Sequence, residues 1–299
     1  MFLRREGLGL AEDAILVKLT VPTPNSNWEY IVPVPTAGPY TPPGQATCGF
    51  VGYDLQRHVK VFIKDTWRVD LPDIEKEGDT YQLMQVAQVK NIALCFAAGD
   101  IEYHTTLTHL YQDELWACKT KKVLVPHHHY RLVLDVIGDH LTNFSSLWEM
   151  LRCVLDPLES HEDALKAGVL HCDISVGNIL IVDRRGILID WDLSKRLVRK
   201  PCLSDAVRQP TRTGTWQFMS AALVKSKEAP HTFVDDLESI FYVILWLLVM
   251  YLANSMSPAS RTSFIQSVLD PEQFEGTGGS AKADFLQGCS TLREVMFNN

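Results

Sequence analysis

Short alternating or continuous apolar runs dominate the first half of the chain, and longer helix-period runs the second. Val59-Lys60-Val61-Phe62-Ile63-Lys64 alternates and closes on a lysine, which predicts a half-buried strand. Gly49-Phe50-Val51-Gly52-Tyr53 predicts a partner strand, with a polar turn from Asp54 to His58 between them. Trp28 to Val34 predicts another strand, in a stretch punctuated by Pro22, Pro24, Pro33, Pro35, Pro39, Pro42 and Pro43. Asp73 to Val86 predicts a helix, and Tyr130 to Gly138 an apolar strand running into a loop. Ser146 to Lys166 predicts a helix whose core stripe is Leu147, Met150, Leu151, Val154, Leu155 and Leu158, bent or split at Pro157. Ile240 to Leu252 is apolar throughout but shorter than the roughly 20 residues of a membrane span, which predicts a buried helix. Asp235, Asp236 and Glu238 stand at its N-terminal edge, where the helix dipole favours anions. Phe264 to Leu269 and Ala281 to Leu286 predict short helices, with Pro271 and a glycine-rich loop at Gly276 to Gly279 between them.

One hairpin carries candidate chemistry. Ile179-Leu180-Ile181-Val182 and Ile187-Leu188-Ile189 flank the polar turn Asp183-Arg184-Arg185-Gly186. A hairpin returns its second strand beside the start of the first, so Asp190 is expected next to Asn178. His171-Cys172-Asp173-Ile174-Ser175-Val176-Gly177-Asn178 precedes it, and Asp190-Trp191-Asp192 follows. Phosphoryl transfer asks for an aimed nucleophile and neutralised phosphate charge. Asp173 is the candidate catalytic carboxylate, and Asn178 and Asp190 are the candidate oxygen ligands of Mg²⁺.

Further stretches extend the pattern: Arg212-Thr213-Gly214-Thr215-Trp216-Gln217-Phe218-Met219-Ser220, and Asp235-Asp236-Leu237-Glu238-Ser239 opening the apolar helix. With these the chain resembles the eukaryotic protein kinase superfamily, most closely the fungal-type protein kinase domain, with casein kinase 1-like features. The resemblance covers roughly residues 44 to 299. It implies a two-lobed α+β fold with a small antiparallel β-rich lobe over residues 44–137. A larger, mainly helical lobe would follow over residues 138–299, shortened at its C-terminal end. Residues 1–43 would be a proline-rich segment able to supply a first strand.

The resemblance also implies roles. Lys64 would hold the ATP phosphates, paired with Glu77 rather than Glu75, which would face another way on a helix. Gly44 and Gly49 are candidates for a phosphate-covering turn, although Gly44-Gln45-Ala46-Thr47-Cys48-Gly49 is no G-x-G-x-x-G. Backbone groups near Asp135 and Val136 would meet the adenine edge in a hinge between lobes. His171 would support the catalytic loop, Thr215 would bond near Asp173, and Asp236 would bond back to the loop backbone. The implied activity is ATP- and Mg²⁺-dependent transfer to Ser or Thr hydroxyls of a protein substrate.

The chain departs from the common kinase pattern at four places. Cys172 stands where many kinases carry arginine and Ser175 where they place a lysine, and these two, with the thin glycine loop, keep alternatives open; Asp192 stands where Asp-Phe-Gly has glycine, but the fungal-type family shares it. No glutamate closes Met219-Ser220-Ala221-Ala222. A pseudokinase scaffold that holds nucleotide is one alternative. A small-molecule phosphotransferase of the aminoglycoside type is another, and Gly214-Thr215 and Asp236-Leu237-Glu238-Ser239 count against it.

Composition narrows the rest. A net charge of −8 gives no general attraction for nucleic acid. Cys48, Cys95, Cys118, Cys153, Cys172, Cys202 and Cys289 are dispersed, as expected of reduced thiols in cytoplasm or nucleus. Met1-Phe2-Leu3-Arg4-Arg5-Glu6 lacks the apolar core of a secretory signal, and no membrane partner is expected. His127-His128-His129 cannot all face one ion from a strand, because side chains alternate, so a solvated loop is expected there.

Overall fold

The computed structural model describes residues 8–10, 13–33, 46–71, 74–118, 123–197, 214–226, 228–269, 278–288 and 295–297. Two compact units divide the chain: residues 1–82 with 93–137, and residues 83–92 with 138–299.

The first unit is built on one antiparallel sheet. Its strands are β1 (Leu16–Pro22), β2 (Asn27–Pro33), β3 (Cys48–Asp54), β4 (Lys60–Val69), β5 (Cys95–Thr105) and β6 (His127–Leu134), in the order β1-β2-β3-β4-β6-β5. Val21, Tyr30, Val32, Val61, Ile63, Ala97 and Val133 form the core on one face. The sheet therefore reaches back to Leu16, ahead of residue 44. The expected first strand at Trp28 is the second, and β1 carries no clear alternation because Val21 is its only fully buried residue. β4 does not close at Lys64 either, but runs on to Val69.

The three histidines lie in β6, not in a solvated loop. His129 Nε2 lies 2.6 Å from Asp65 Oδ1, its ring stacks on Trp67, and His128 Nε2 lies 2.9 Å from Asp70. Carboxylates on the neighbouring strand β4 and just beyond it absorb the polarity of His128 and His129, and His127 Nδ1 meets the Val125 carbonyl at 3.1 Å, which hydropathy alone does not reveal. Helix α1 (Glu77–Val86) starts later than expected, and Asp73 lies outside the described residues. The Lys76 carbonyl accepts from Asp79 N and Thr80 N, opening the helix there. Gly78 sits so close to the sheet that a Cβ would meet Ala98 Cβ at 2.4 Å and Tyr130 Oη at 2.6 Å.

The second unit is mainly helical. It contains α2 (Leu147–Lys166), the hairpin β9 (Ile179–Val182) and β10 (Arg185–Leu188), α3 (Ala221–Lys225), α4 (Phe233–Tyr251), α5 (Pro258–Phe264) and α6 (Ser280–Gly288). The two-residue strands β7 (Asp139–His140), β8 (Val169–Leu170) and β11 (Lys195–Arg196) complete it, β7 beside β9 and β8 beside β11. Ser146 caps α2 by accepting from Glu149 N. The helix is one continuous element, and its expected stripe is buried only in part: Met150 and Val154 face the core. Leu147, Leu151 and Leu155 are 46, 41 and 51% exposed. Cys153, Pro157, His161 and Ala164 complete the inward face, with Asp156 and Ser160. Polar side chains take core positions here because each meets a partner. Asp156 accepts from Arg185 Nε at 2.7 Å and Nη2 at 2.9 Å and from Gly186 N at 2.9 Å, and Ser160 donates to Asn91 O.

Pro157 leaves α2 unbroken for a reason that involves the hairpin. Proline has no N–H for the carbonyl four residues earlier, that of Cys153. β10 closes against that carbonyl, and a Cβ on Gly186 would lie 2.0 Å from Cys153 O. Gly186 is thus needed for close approach, while the left-handed turn residues are Asp183 and Arg184. Gly186→Ala is expected to lower stability by about 1–3 kcal/mol through overpacking, read as a lower urea midpoint with an unchanged slope.

Helix α4 carries a capping box between Thr232 and Asp235. Its inward face, including Ile240, Tyr242, Val243, Leu245, Leu247 and Val249, is buried. It is not buried all round, since Phe233, Val234, Leu237 and Phe241 in its first turns are exposed. No helix among the described residues is long and apolar enough to cross a membrane.

Candidate active site

In the first unit, Lys64 lies in the middle of β4 and is 8% exposed. Its Nζ stands 2.8 Å from Glu77 Oε2, and Glu77 is the first residue of α1. The late helix start aims this carboxylate at the strand, with Gly78 N donating to Tyr130 Oη at 2.9 Å beside it. Gly49 lies within β3, directly opposite Lys64, and not in a turn. A Cβ there would press on the Phe62 ring at 2.9 Å, which accounts for this glycine by packing. Gly44 lies outside the described residues. Asp135 N donates to Leu94 O at 3.0 Å, and the Asp135 carboxylate accepts from Leu94 N at 2.7 Å. The Asp135 amide and carboxylate are thus both engaged with Leu94.

In the second unit, the register Val182↔Arg185 to Ile179↔Leu188 returns the chain beside its start, where Ile189 N donates to Asn178 O at 3.0 Å. Asp190 follows directly, with φ of 64°. Cys172, at φ 68°, shares that left-handed region, which costs a non-glycine residue roughly 1–2 kcal/mol. Two such residues beside Asp173 show a loop shaped by its surroundings against local preference.

Asp173 is the hub. Its Oδ1 accepts from Thr215 N at 2.7 Å and Thr215 Oγ1 at 3.0 Å. Asn178 Nδ2 donates to its carbonyl at 2.8 Å and to its Oδ2 at 3.2 Å. Burial pushes the Asp173 carboxyl up, and the Thr215 hydrogen bonds oppose that. His171 is fully buried against Trp191, with ring centroids 4.5 Å apart. Its Nδ1 accepts from Asp173 N and its Nε2 donates to Ile189 O at 3.0 Å, which fixes the neutral tautomer. Burial pushes this imidazole down, in agreement. Gly214, at φ +125°, lies where a Cβ would meet Met219 Cε at 3.0 Å.

Asp236 anchors the loop from behind. Fully buried at the start of α4, it accepts from His171 N and Cys172 N, from His161 Nε2 at 3.0 Å and from His231 Nε2 at 2.7 Å. Burial works against its charge, yet the hydrogen bonds from His161 and His231 hold its carboxyl well below the ordinary range. The acidic cluster at the start of α4 therefore does more than complement a dipole. Asp235 takes the Ser220 hydroxyl, and Glu238 takes Ala221 N at 2.7 Å and the Tyr242 hydroxyl at 2.6 Å. Glu238 secures the segment after Met219, where no glutamate follows in sequence.

Sequence reading did not single out His161, His231 or Lys282. His161 and Lys282 lie on helices far along the chain from their partners, and no local pattern marks them. The acidic run around Glu238 was legible, but its partners were not.

A β-rich unit with a buried lysine–glutamate pair, followed by a helical unit carrying this Asp–Asn–Asp loop and hairpin, defines a protein of the kinase-like α+β class. The family model of the fungal protein kinase matches residues 23–248, and the chain belongs to that family. Among solved structures it is similar to the Cydia pomonella granulovirus kinase PK-1, at 10% identity with a TM-score of 0.48, covering 90% of this chain and 92% of that one. No curated protein matches the chain.

Proposed function

We propose that the chain is an ATP- and Mg²⁺-dependent protein kinase that phosphorylates Ser or Thr hydroxyls. The observation that carries this reading is the double hold of Thr215 on Asp173 Oδ1. It fastens a carboxylate suited to general-base work to the segment that the kinase resemblance makes the platform for a protein substrate. Asp173 would orient the substrate hydroxyl and accept its proton as the oxygen attacks the γ-phosphorus and the bond to the leaving ADP oxygen breaks. Lys64, held by Glu77, would neutralise phosphate charge.

The residues also fit magnesium. Asn178 donates to Asp173 through Nδ2, which turns its Oδ1 the other way, and Asp190 contributes a carboxylate. Mg²⁺ takes one or two hard oxygens from protein and the rest from phosphates and water. Among the described residues no cluster of three or more His, Cys, Asp or Glu side chains is set for a metal, which this coordination does not need. When bound, the ion would offset the charge that develops on the phosphates.

A scaffold that binds nucleotide without transfer is the second reading. Ser175, 4% exposed, favours it by putting a buried hydroxyl where the resemblance calls for a lysine.

Mg-ATP is expected to raise the melting temperature, as a ligand of the native state must, by about 2.7 kcal/mol of stabilisation at a hundred times Kd. Labelled γ-phosphate is expected to reach Ser and Thr of a generic protein. A shift without transfer supports the scaffold, and label confined to sugars or amines supports a small-molecule kinase. No shift at millimolar nucleotide ends the nucleotide reading.

A further inference from the structure

Lys282 lies beyond residue 248, where the family match ends, and it is 1% exposed on α6. Its Nζ reaches three main-chain carbonyls: Trp216 O at 3.0 Å, Gln217 O at 3.0 Å and Met219 O at 2.7 Å. An ammonium has three N–H donors, and these three acceptors can take all of them. The same nitrogen stands 4.8 Å from the centre of the Tyr242 ring, within the range in which an aromatic face attracts a cation.

The carbonyls belong to a tight turn in which Phe218 N and Met219 N both donate to Thr215 O. That turn would point several carbonyl dipoles inward together, an arrangement that a buried cation compensates. Helix α6 is seated at this place by its own entry. Gly278 N donates to Val224 O at 3.1 Å, and a Cβ on Gly279 would lie 2.4 Å from Ala221 O. On the near side, the turn begins at Thr215, which holds Asp173 Oδ1 by two hydrogen bonds. A continuous chain of contacts thus runs from Lys282 through the 216–219 turn and Thr215 to Asp173.

We infer that Lys282 is a positioning residue for phosphoryl transfer to protein: it fixes the turn that sets Thr215, and through Thr215 the carboxylate of Asp173. The inference rests on the kinase reading above. It assigns to helix α6 a part in substrate alignment, and the role it gives Lys282 involves no contact with nucleotide or metal. Misplacing a reacting group by about an ångström costs on the order of a hundredfold in rate.

The test compares the unsubstituted chain with Lys282→Met, which keeps the aliphatic stem and loses the donors, and Lys282→Gln, which restores an uncharged donor pair. Steady-state kinetics with a protein substrate are measured alongside the melting temperature with and without Mg-ATP. Amide hydrogen exchange over residues 214–220 is followed in the same variants. Lys282→Met is expected to lower kcat for the protein substrate about a hundredfold, leave KM for ATP within about twofold and speed exchange in 214–220. Lys282→Gln is expected to fall between the two. Unchanged kcat in a folded Lys282→Met overturns the inference and leaves the kinase reading standing. Wild-type chain that binds Mg-ATP and never transfers removes the kinase reading, and the inference with it. Failure of both variants to fold also overturns it and makes Lys282 a residue of folding only.

Discussion

Asp173→Asn is expected to lower phosphate transfer to protein by about 10²–10⁴-fold, the usual contribution of a positioned general base. The substitution spares the surroundings. The amide oxygen can still accept from Thr215 N and Oγ1, and the Asp173 carbonyl still accepts from Asn178 Nδ2. Only the approach of Asn178 Nδ2 to the second carboxylate oxygen, 3.2 Å, turns unfavourable. Stabilisation by Mg-ATP should therefore persist while transfer is lost, a split that separates catalysis from binding. Measured together, a retained melting-temperature shift and vanishing label support the assignment. Label that survives in Asp173→Asn would show that another group takes the proton.

The second large effect is on stability. Asp236→Ala would leave four donors, His171 N, Cys172 N, His161 Nε2 and His231 Nε2, facing a buried hole. Removing one partner of a buried charged network costs about 3–5 kcal/mol. For a chain of this size that corresponds to a fall of roughly 6–20 °C in melting temperature. The pH dependence has a definite sign. A carboxyl held below its unfolded value of about 3.9 stabilises the fold above that pH and loses the contribution as pH falls toward its folded value. The gap between wild type and Asp236→Ala should thus be full at pH 6–7 and narrow on acidification below about pH 4. A gap that stays constant down to pH 2.5 would mean that hydrogen bonding to the charged form is not what Asp236 supplies.

The hairpin that brings Asp190 beside Asn178 was readable because strand pairing is local: two apolar runs and a polar turn leave few alternatives. The helix at Asp235 to Glu238 was readable for the same reason, as a cluster of acids ahead of a long apolar run. The buried face of α2 was readable only at Met150 and Val154. Hydropathy placed Leu147, Leu151 and Leu155 inside, whereas Asp156, Ser160 and His161 occupy the interior. Distant groups satisfy those polar atoms: Arg185 and Gly186 from the hairpin, Asn91 from the segment before β5, and Asp236 from α4. The histidines of β6 went astray likewise, since Asp65 and Asp70, which receive His129 and His128, belong to another stretch of chain.

Sequence alone determined which chemical groups exist and the order in which they occur: the lysine of an apolar strand, the His-x-Asp loop, the hairpin and the acidic helix start. Those features depend on neighbours within a few residues, where backbone geometry leaves little freedom. Tertiary structure alone decided that Asp236 braces the loop from behind, that Thr215 grips Asp173, and that Lys282 closes the turn next to it. Each of those contacts joins residues tens of positions apart, and only the burial of a charge or donor among exact partners selects them.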